Sequence, residues 1–254
     1  MNEHQLAIAE ATRFAVDELD NPEGVFGVTE LSAIALERCT TAREAIQLMG
    51  ELAESYGFHG FSRGEMLFVA DPGEVWIWEI LRPGPLWSPD PDTCIDPTER
   101  LGCVWVAQRV PDGEVCVMPN MPRIGQINLS ETDNFMASTN IFSLAEELGL
   151  WDPAGGEPFD MKTVYNNRLP NLRLWNLYRL LAPSKYDRPF TQDWDDYPFS
   201  IKPDKRLSVW DIATLYRDHG ESTEYDNTAG LAAGPWGNPH HYGGAELVPY
   251  QPCE

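Results

Sequence analysis

Two consecutive apolar segments joined by a tight-turn sequence constrain the fold of this chain most strongly. They read MLFVA (66–70) and VWIW (75–78), and the Asp-Pro-Gly sequence at 71–73 is typical of a β-hairpin turn. Both segments are apolar at every position, whereas a strand with one solvated face alternates apolar and polar residues. We therefore predict antiparallel strands that are covered on both faces, in a layered α+β sandwich that packs sheet on sheet with helices outside.

The remaining elements follow from hydrophobic periodicity and from turn signals. Strands are predicted at 6–12, 65–70, 74–80, 103–110 and 114–120, and helices at 28–39, 41–57, 140–151 and 207–220. Thr41 and Glu44 form a capping box before the second helix, and Gly57 supplies its end. A second box, Ser208 with Asp211, opens the last helix, which we expect to end at Gly220.

The charge of the chain argues against two classes of partner. The 254 residues carry 40 Asp and Glu against 18 Lys and Arg, a formal net charge of -22. Such a field repels phosphate backbones and anionic lipid surfaces, so we expect neither nucleic-acid nor membrane binding. No apolar run approaches the ~20 residues that cross a bilayer, and the first residues lack the pattern of a signal peptide.

The five cysteines do not form a recognisable framework. They are odd in number, irregularly spaced and without a Cys-x-x-Cys pair: Cys39, Cys94, Cys103, Cys116 and Cys253. We therefore predict neither a zinc site nor a set of disulfides. Unpaired thiols weakly favour the cytoplasm.

One asparagine stands out at the end of the fifth predicted strand. Asn120 lies between Pro119 and Pro122 in the segment VCVMPNMPRIGQINL (115–129). Asn and Pro are common turn residues, so an ordinary turn is one explanation. A rigidly held amide donor is the other, because proline restricts the backbone.

Several blocks, taken together and in order, resemble the dipeptidases of the cysteine N-terminal-nucleophile hydrolases, a group that includes the secernins. The blocks are MNEHQLAIAEAT, TAREAIQLMGELAESYGF, GEMLFVADPGEVWIWEI, VWVAQRVPDGEV, DNFMASTNIFSLAEELGLWDP, LLAPS, YPFSIKPDKRLSVWDIATLYRDH and TEYDNTAGLAAGPWGNP. They cover most of residues 1–238. The resemblance implies a four-layer αββα sandwich with antiparallel sheets, incomplete here at both ends.

The resemblance also implies a single, partial peptidase domain over 1–254, with a looser Pro- and Gly-rich part from about residue 181. The family hydrolyses amides with a cysteine that processing places at the first position, and it uses no metal or organic cofactor. That nucleophile precedes the segment matching Met1, so the resemblance implies a fragment that is inactive alone. Cys39 fits better as a thiol in a linker.

The resemblance assigns two oxyanion donors. VMPNMP is similar to the Asn-x-Pro strand end of related amidases, so Asn120 would donate its side-chain amide to the oxyanion. NEHQLAIAEAT is similar to the family's first strand and places the second donor at Thr12, through its backbone or its hydroxyl.

Three arginines are candidates for roles in the site. LRLWNLYRLLAPS resembles the family's Arg-x-Trp-Arg segment, where Arg173 would favour the thiolate; a solvated helix charge is the alternative. The second arginine of that motif is Asn176 here, and Arg179 is a candidate substitute. Arg123 is a candidate for binding a substrate carboxylate.

The leading functional hypothesis is a cysteine-type dipeptidase that hydrolyses short peptides with broad side-chain tolerance. An acylamidase of the penicillin or bile-salt hydrolase type is the enzymatic alternative, and a non-catalytic, secernin-like interaction protein is the other. The candidate partners are a short peptide substrate and a second copy of the chain in a homo-oligomer.

Overall fold

The computed structural model describes residues 1–60, 62–84, 87–88, 100–230 and 233. Cys94 and Cys253 lie outside the described residues, as does most of the chain after 230. The chain divides into two compact units. The first unit comprises 1–112 and 120–168, and the second comprises 113–119 and 169–254. A single peptidase domain over 1–254 stays a prediction.

The first unit is built on an open, five-stranded antiparallel sheet. Its strands are β1 Ala7–Phe14, β2 Arg63–Ala70, β3 Val75–Leu81, β4 Val104–Arg109 and β5 Phe135–Ala137. Each strand pairs with the next along the chain, so the order is β1-β2-β3-β4-β5. Four of the strands predicted from the sequence are confirmed. The burial of β2 and β3 on both faces is confirmed as well.

Two helices cover one face of this sheet. They are α1 Val28–Arg38 and α2 Ala42–Tyr56. The predicted capping box is present: Thr41 Oγ1 accepts from the Glu44 N–H at 3.3 Å, and Glu44 Oε2 accepts from the Thr41 N–H at 3.2 Å. Gly57 follows α2 with φ +81°, a conformation that glycine adopts without strain. Alternate strand residues pack against the two helices, including Leu67, Val69, Trp76, Trp78, Ile80, Trp105 and Ala107, as does Cys103 immediately before β4.

The intervening strand residues face the opposite side of the sheet, because side chains alternate along a strand. Glu79 belongs to this set, and its cross-strand neighbours are Met66 and Val106. Arg13 lies on the same face near the end of β1. A charged pair on a buried sheet face is unusual, because charged side chains are almost never fully buried unless they are paired.

The predicted strand at 114–120 is wrong. Val115 makes an isolated antiparallel bridge with Ile201, and residues 113–119 belong to the second unit. Its apolar side chains Val115 and Val117 pack against that unit's core instead of extending the sheet. The place next to β4 is taken by β5, which the sequence analysis did not predict.

Among the residues of the first unit that the structure describes, two further short α-helices follow: α3 Ser143–Glu147 and α4 Met161–Val164. The helix predicted at 140–151 is confirmed only in its central part. Gly149 has φ +68°, which takes the backbone out of the right-handed helical conformation.

The described part of the second unit contains three α-helices: α5 Leu172–Leu181, α6 Pro183–Tyr186 and α7 Val209–Leu215. Its core consists of Leu172, Leu174, Trp175, Tyr178, Leu181, Ala182, Tyr197 and Ile201. The predicted Ser208 and Asp211 capping box is present, with the Asp211 N–H donating to Ser208 Oγ at 3.2 Å. The helix ends earlier than predicted, before the positive-φ residue Gly220.

The described part of the chain is therefore a mixed α and β fold whose named strands form one sheet. Within that part, no helix combines the length and apolar character needed to cross a membrane.

Candidate active site

Asn120 and Thr12 meet in the first unit through a hydrogen bond. The Asn120 side-chain Nδ2 donates to the main-chain carbonyl oxygen of Thr12 at 2.9 Å. Thr12 lies in β1, which is an edge strand of the described sheet, and its hydroxyl donates to Glu10 Oε1 at 3.3 Å. The structure thus brings together the two residues that the sequence analysis named as oxyanion donors.

The backbone of Asn120 adopts an uncommon conformation. Its φ is +56°, in the left-handed region that few residues other than glycine enter. Asparagine tolerates this region better than most side chains. Such a conformation costs on the order of 1 kcal/mol and persists where the surrounding contacts impose it.

A buried carboxylate holds the residues that follow Asn120. Glu79 Oε1 accepts hydrogen bonds from the backbone N–H groups of Arg123 at 2.6 Å and Ile124 at 2.9 Å. These backbone bonds attach the 120–124 loop to the centre of β3. The side chain of Glu79 has no solvent exposure.

The other carboxylate oxygen of Glu79 pairs with Arg13. Arg13 Nη1 donates to Glu79 Oε2 at 2.5 Å, and the Arg13 side chain is also fully buried. Burial lowers the pKa of Arg13 from its ordinary value, while the charge of Glu79 acts in the opposite direction. A guanidinium nevertheless stays protonated in proteins, so the pair is ionic.

A glycine makes room for this pair. A Cβ at Gly64 would lie 3.2 Å from Arg13 Cγ and 2.5 Å from Leu81 Cδ2. Gly64 is the cross-strand partner of both residues. The absent side chain at this position therefore lets Arg13 extend across the sheet towards Glu79.

Arg123 contributes to the site through its main chain and is otherwise enclosed. Arg123 as a whole is only 1% exposed to solvent. A substrate carboxylate would need a cavity leading to this guanidinium, and the role of Arg123 in substrate binding stays a prediction.

Arg173 belongs to the second unit. It lies in the first turn of α5, where the helix dipole disfavours a cation. Its Nη2 donates to the carbonyl oxygen of Pro119 at 3.0 Å, and Asn171 Nδ2 donates to the same oxygen at 2.9 Å. This contact is partly buried, and the catalytic role of Arg173 stays a prediction.

Arg179, the candidate substitute, is engaged elsewhere in the second unit. Its Nη2 and Nε donate to Asn176 Oδ1 at 2.7 and 3.2 Å, and its guanidinium lies 5.5 Å from the Trp175 ring. Asn176 in turn donates to Asp218. These contacts describe a structural network on α5.

The described cysteines do not have the properties of a nucleophile. Cys39, Cys103 and Cys116 are buried and free of disulfides. Burial raises the pKa of Cys39, and burial raises the pKa of Cys103 well above its usual value. A reactive thiol needs the opposite shift and access to substrate. Among the residues that the structure describes, no cluster of three His, Cys, Asp or Glu side chains could hold a metal ion.

Arg13 and Glu79 were missed by the sequence analysis. The available signal was a charged residue inside an apolar strand, since Glu79 ends the run VWIWE and Arg13 follows AIAEAT. Charged side chains are almost never fully buried unless they are paired.

Comparisons with known proteins identify the relatives of this chain. A probable dipeptidase of Latilactobacillus sakei is 27% identical over 201 residues, covering 77% of this chain and 37% of the relative. Dipeptidase A of Lactobacillus helveticus is 24% identical, covering 82% of this chain and 40% of the relative. A dipeptidase of Bifidobacterium longum is 25% identical, covering 83% of this chain and 38% of the relative. The chain thus spans about two fifths of the length of these curated relatives, and no solved structure matches it.

The family comparison covers nearly the whole sequence. The family model described as peptidase family C69 matches residues 1–242, which include the sheet, the 120–124 loop and α5. The chain belongs to peptidase family C69.

Proposed function

We propose that this protein acts as a cysteine-type dipeptidase, hydrolysing the amide bond of short peptides with broad side-chain tolerance. Membership of peptidase family C69 and similarity to proteins named dipeptidase support this reaction class. In the proposed reaction a cysteine thiolate attacks the scissile carbonyl, and the N-terminal α-amine of that cysteine serves as base. The proposed setting is the cytoplasm.

The observation that carries the proposal is the orientation of Asn120. Its carboxamide carries two N–H groups, and the bond to the Thr12 carbonyl at 2.9 Å fixes the plane of the amide at the edge of β1. Neutral, preorganised donors are what a tetrahedral oxyanion requires, because they stabilise charge without adding a charge of their own. In this proposal Asn120 donates to the oxyanion.

Thr12 would supply the second donor through its backbone. The C=O and N–H groups of one strand residue point to the same side, as the paired bonds of antiparallel strands show. Since the Thr12 carbonyl accepts from Asn120, the Thr12 N–H faces the same outer edge of β1. Its hydroxyl is directed to Glu10, which makes the backbone the better donor.

The roles of the arginines belong to the same proposal. Arg173 would favour the thiolate form of the nucleophile by its positive charge. Arg123 would bind a substrate carboxylate. The proposed architecture is the four-layer αββα sandwich of N-terminal-nucleophile hydrolases, in which the sheet would form one layer and α1 with α2 another.

The proposal is tested with protein expressed from the complete gene. A panel of free dipeptides, N-acetylated dipeptides and acyl amides of the penicillin type is incubated with the enzyme, and released amines are quantified by chromatography. Hydrolysis of free dipeptides that iodoacetamide abolishes supports the proposal. Cleavage of acyl amides alone would identify an acylamidase, and cleavage of nothing would indicate a non-catalytic protein; either result overturns the proposal.

A further inference from the structure

The buried pair of Arg13 and Glu79 ties two separate segments together. Glu79 accepts from Arg13 Nη1 on β1 and from two backbone N–H groups of the 120–124 loop, at distances of 2.5, 2.6 and 2.9 Å. Both side chains have zero exposure. Burying an ion pair is costly, and apolar replacements of similar volume are often as stable. Stability alone therefore does not account for a charged pair at this place.

The same two segments carry the hydrogen bond of the proposed oxyanion donors. Thr12 immediately precedes Arg13 in β1, and Asn120 begins the loop whose Arg123 and Ile124 N–H groups bind Glu79. The Asn120–Thr12 bond at 2.9 Å is thus a second link between segments that Glu79 already joins. Together the two links fix both the distance and the orientation of the 120–124 loop relative to β1, whereas a single link would let the loop rotate about it.

The backbone of Asn120 needs such a constraint. Its φ of +56° lies in a region that the surrounding structure must impose on a residue with a side chain. The N–H groups of Arg123 and Ile124, three and four residues after Asn120, donate to Glu79. These bonds stabilise the loop conformation in which Asn120 has a positive φ. Hydrogen bonds to an ionised carboxylate are shorter and stronger than those to a neutral acceptor.

We infer that Arg13 and Glu79 are positioning residues for amide hydrolysis: Glu79, oriented by Arg13, anchors the 120–124 loop so that the Asn120 carboxamide is held in its catalytic orientation. This inference rests on the proposed function, since it gives Asn120 the role of oxyanion donor. Neither residue touches substrate in this scheme. A displacement of about 1 Å in a catalytic group can reduce the rate about 100-fold.

The test compares two double variants that both remove the buried charges. Arg13→Met with Glu79→Gln keeps an oxygen that can accept from the loop N–H groups. Arg13→Met with Glu79→Met has the same charge and similar volume but offers no such acceptor. For dipeptide hydrolysis we expect kcat of the second variant to lie at least about tenfold below that of the first, with KM changed less than twofold. The second variant should also melt at a lower temperature, because two buried N–H groups lose their acceptor, so kcat is compared at a temperature where circular dichroism shows both variants folded.

A double-mutant cycle separates positioning from a general structural effect. The ratio of kcat between the two double variants is measured with Asn120 present and with Asn120→Ala. If Glu79 acts through Asn120, the ratio falls towards one when the carboxamide is absent. An unchanged ratio in the Asn120→Ala background would overturn the inference.

A matched control uses an ion pair elsewhere in the same unit. Arg43 Nε donates to Glu74 Oε1 at 2.8 Å, and neither residue contacts the 120–124 loop in the bonds described. Arg43→Met with Glu74→Gln should leave kcat unchanged. A loss in this control as large as in the Arg13 and Glu79 variants would show a non-specific effect and would overturn the inference.

A measurement without substrate distinguishes failure of the inference from failure of the proposed function. Amide proton exchange at Arg123 and Ile124, and the side-chain NH2 resonances of Asn120, are followed by NMR in the 254-residue chain. We expect protection and a fixed carboxamide in the wild type and in the Gln variant, and their loss in the Met variant. If the wild type cleaves no dipeptide, the catalytic role fails while this result still supports the anchoring; a fixed carboxamide in the Met variant overturns the anchoring whatever the activity.

Discussion

The guanidinium of Arg13 and the carboxylate of Glu79 lie 2.5 Å apart, 66 positions apart in the sequence, with both side chains fully shielded from solvent. Arg13 comes from the edge strand and Glu79 from the centre of the sheet. Together they connect the sheet to the loop that begins with Asn120. The pair therefore belongs to the buried face of the sheet and also holds the loop that carries the proposed oxyanion donor.

Arg13→Met alone should destabilise the protein strongly. It leaves the Glu79 carboxylate buried without its counter-ion, and breaking a buried pair costs about 3–5 kcal/mol. Chemical denaturation at pH 7 should show this loss in the free energy of unfolding. Adding Glu79→Gln should recover much of it, because the uncompensated charge is then gone. A double variant that is no more stable than the single one would contradict the ionic description of the pair.

Cys103 should resist alkylation while the protein is folded. It is fully buried in the core beneath α2, and burial raises the pKa of its thiol well above the usual value, so little thiolate exists at pH 8. Iodoacetamide labelling followed by peptide mass spectrometry should find Cys103 unmodified in native protein and modified in guanidinium chloride. Rapid native labelling at this position would mean that the helix layer does not cover the sheet as described.

Asp71 should make stability depend on acid pH. Burial raises its pKa, but bonds from the N–H groups of Ala42, Gly73 and Glu74 at 2.8, 2.7 and 3.0 Å outweigh this and lower the pKa below its usual value. The unfolded chain, with an Asp pKa of about 3.9, then binds the proton more readily than the folded chain. The contribution of Asp71 is therefore complete above about pH 5 and is lost as pH falls through the folded pKa.

Asp71→Asn tests this dependence directly. The variant should be less stable than the wild type at pH 7, and the difference in unfolding free energy should shrink as pH falls from about 5 to 3. A difference that stays constant over this interval would rule out ionisation of Asp71 as its source.

The elements found from the sequence are those whose signals are local. The Thr41 and Glu44 box and the Gly57 end define α2 within 17 residues of sequence, and the structure shows both. The doubly apolar β2 and β3 were identified because burial on both faces leaves no polar alternation.

The failures come from partners that lie far away in the chain. The segment 114–120 has the apolar composition of a strand, but Val115 pairs with Ile201 and joins another core. The strand β5 is only three residues long, Phe135–Ala137, and carries no periodic pattern of its own. Its pairing with β4 depends on the rest of the sheet.

The candidate site shows the same division. Asn120 could be singled out because its flanking prolines are visible in the sequence, and Thr12 was named through family resemblance. The hydrogen bond between the two residues was not predicted. Glu79 and Arg13 could not be paired from the sequence, because no local rule connects residues on strands β3 and β1. Only the register of the sheet places them on the same face.

The most direct test of the account is the kcat of Asn120→Ala for dipeptide hydrolysis, measured on protein expressed from the complete gene and compared with the wild type at saturating substrate. Loss of one oxyanion donor is expected to lower kcat about 10²–10³-fold with little change in KM and a retained fold by circular dichroism. A folded variant whose kcat stays within about threefold of the wild type, far from the effect of losing such a donor, would contradict the assignment of Asn120 and the active site built around it.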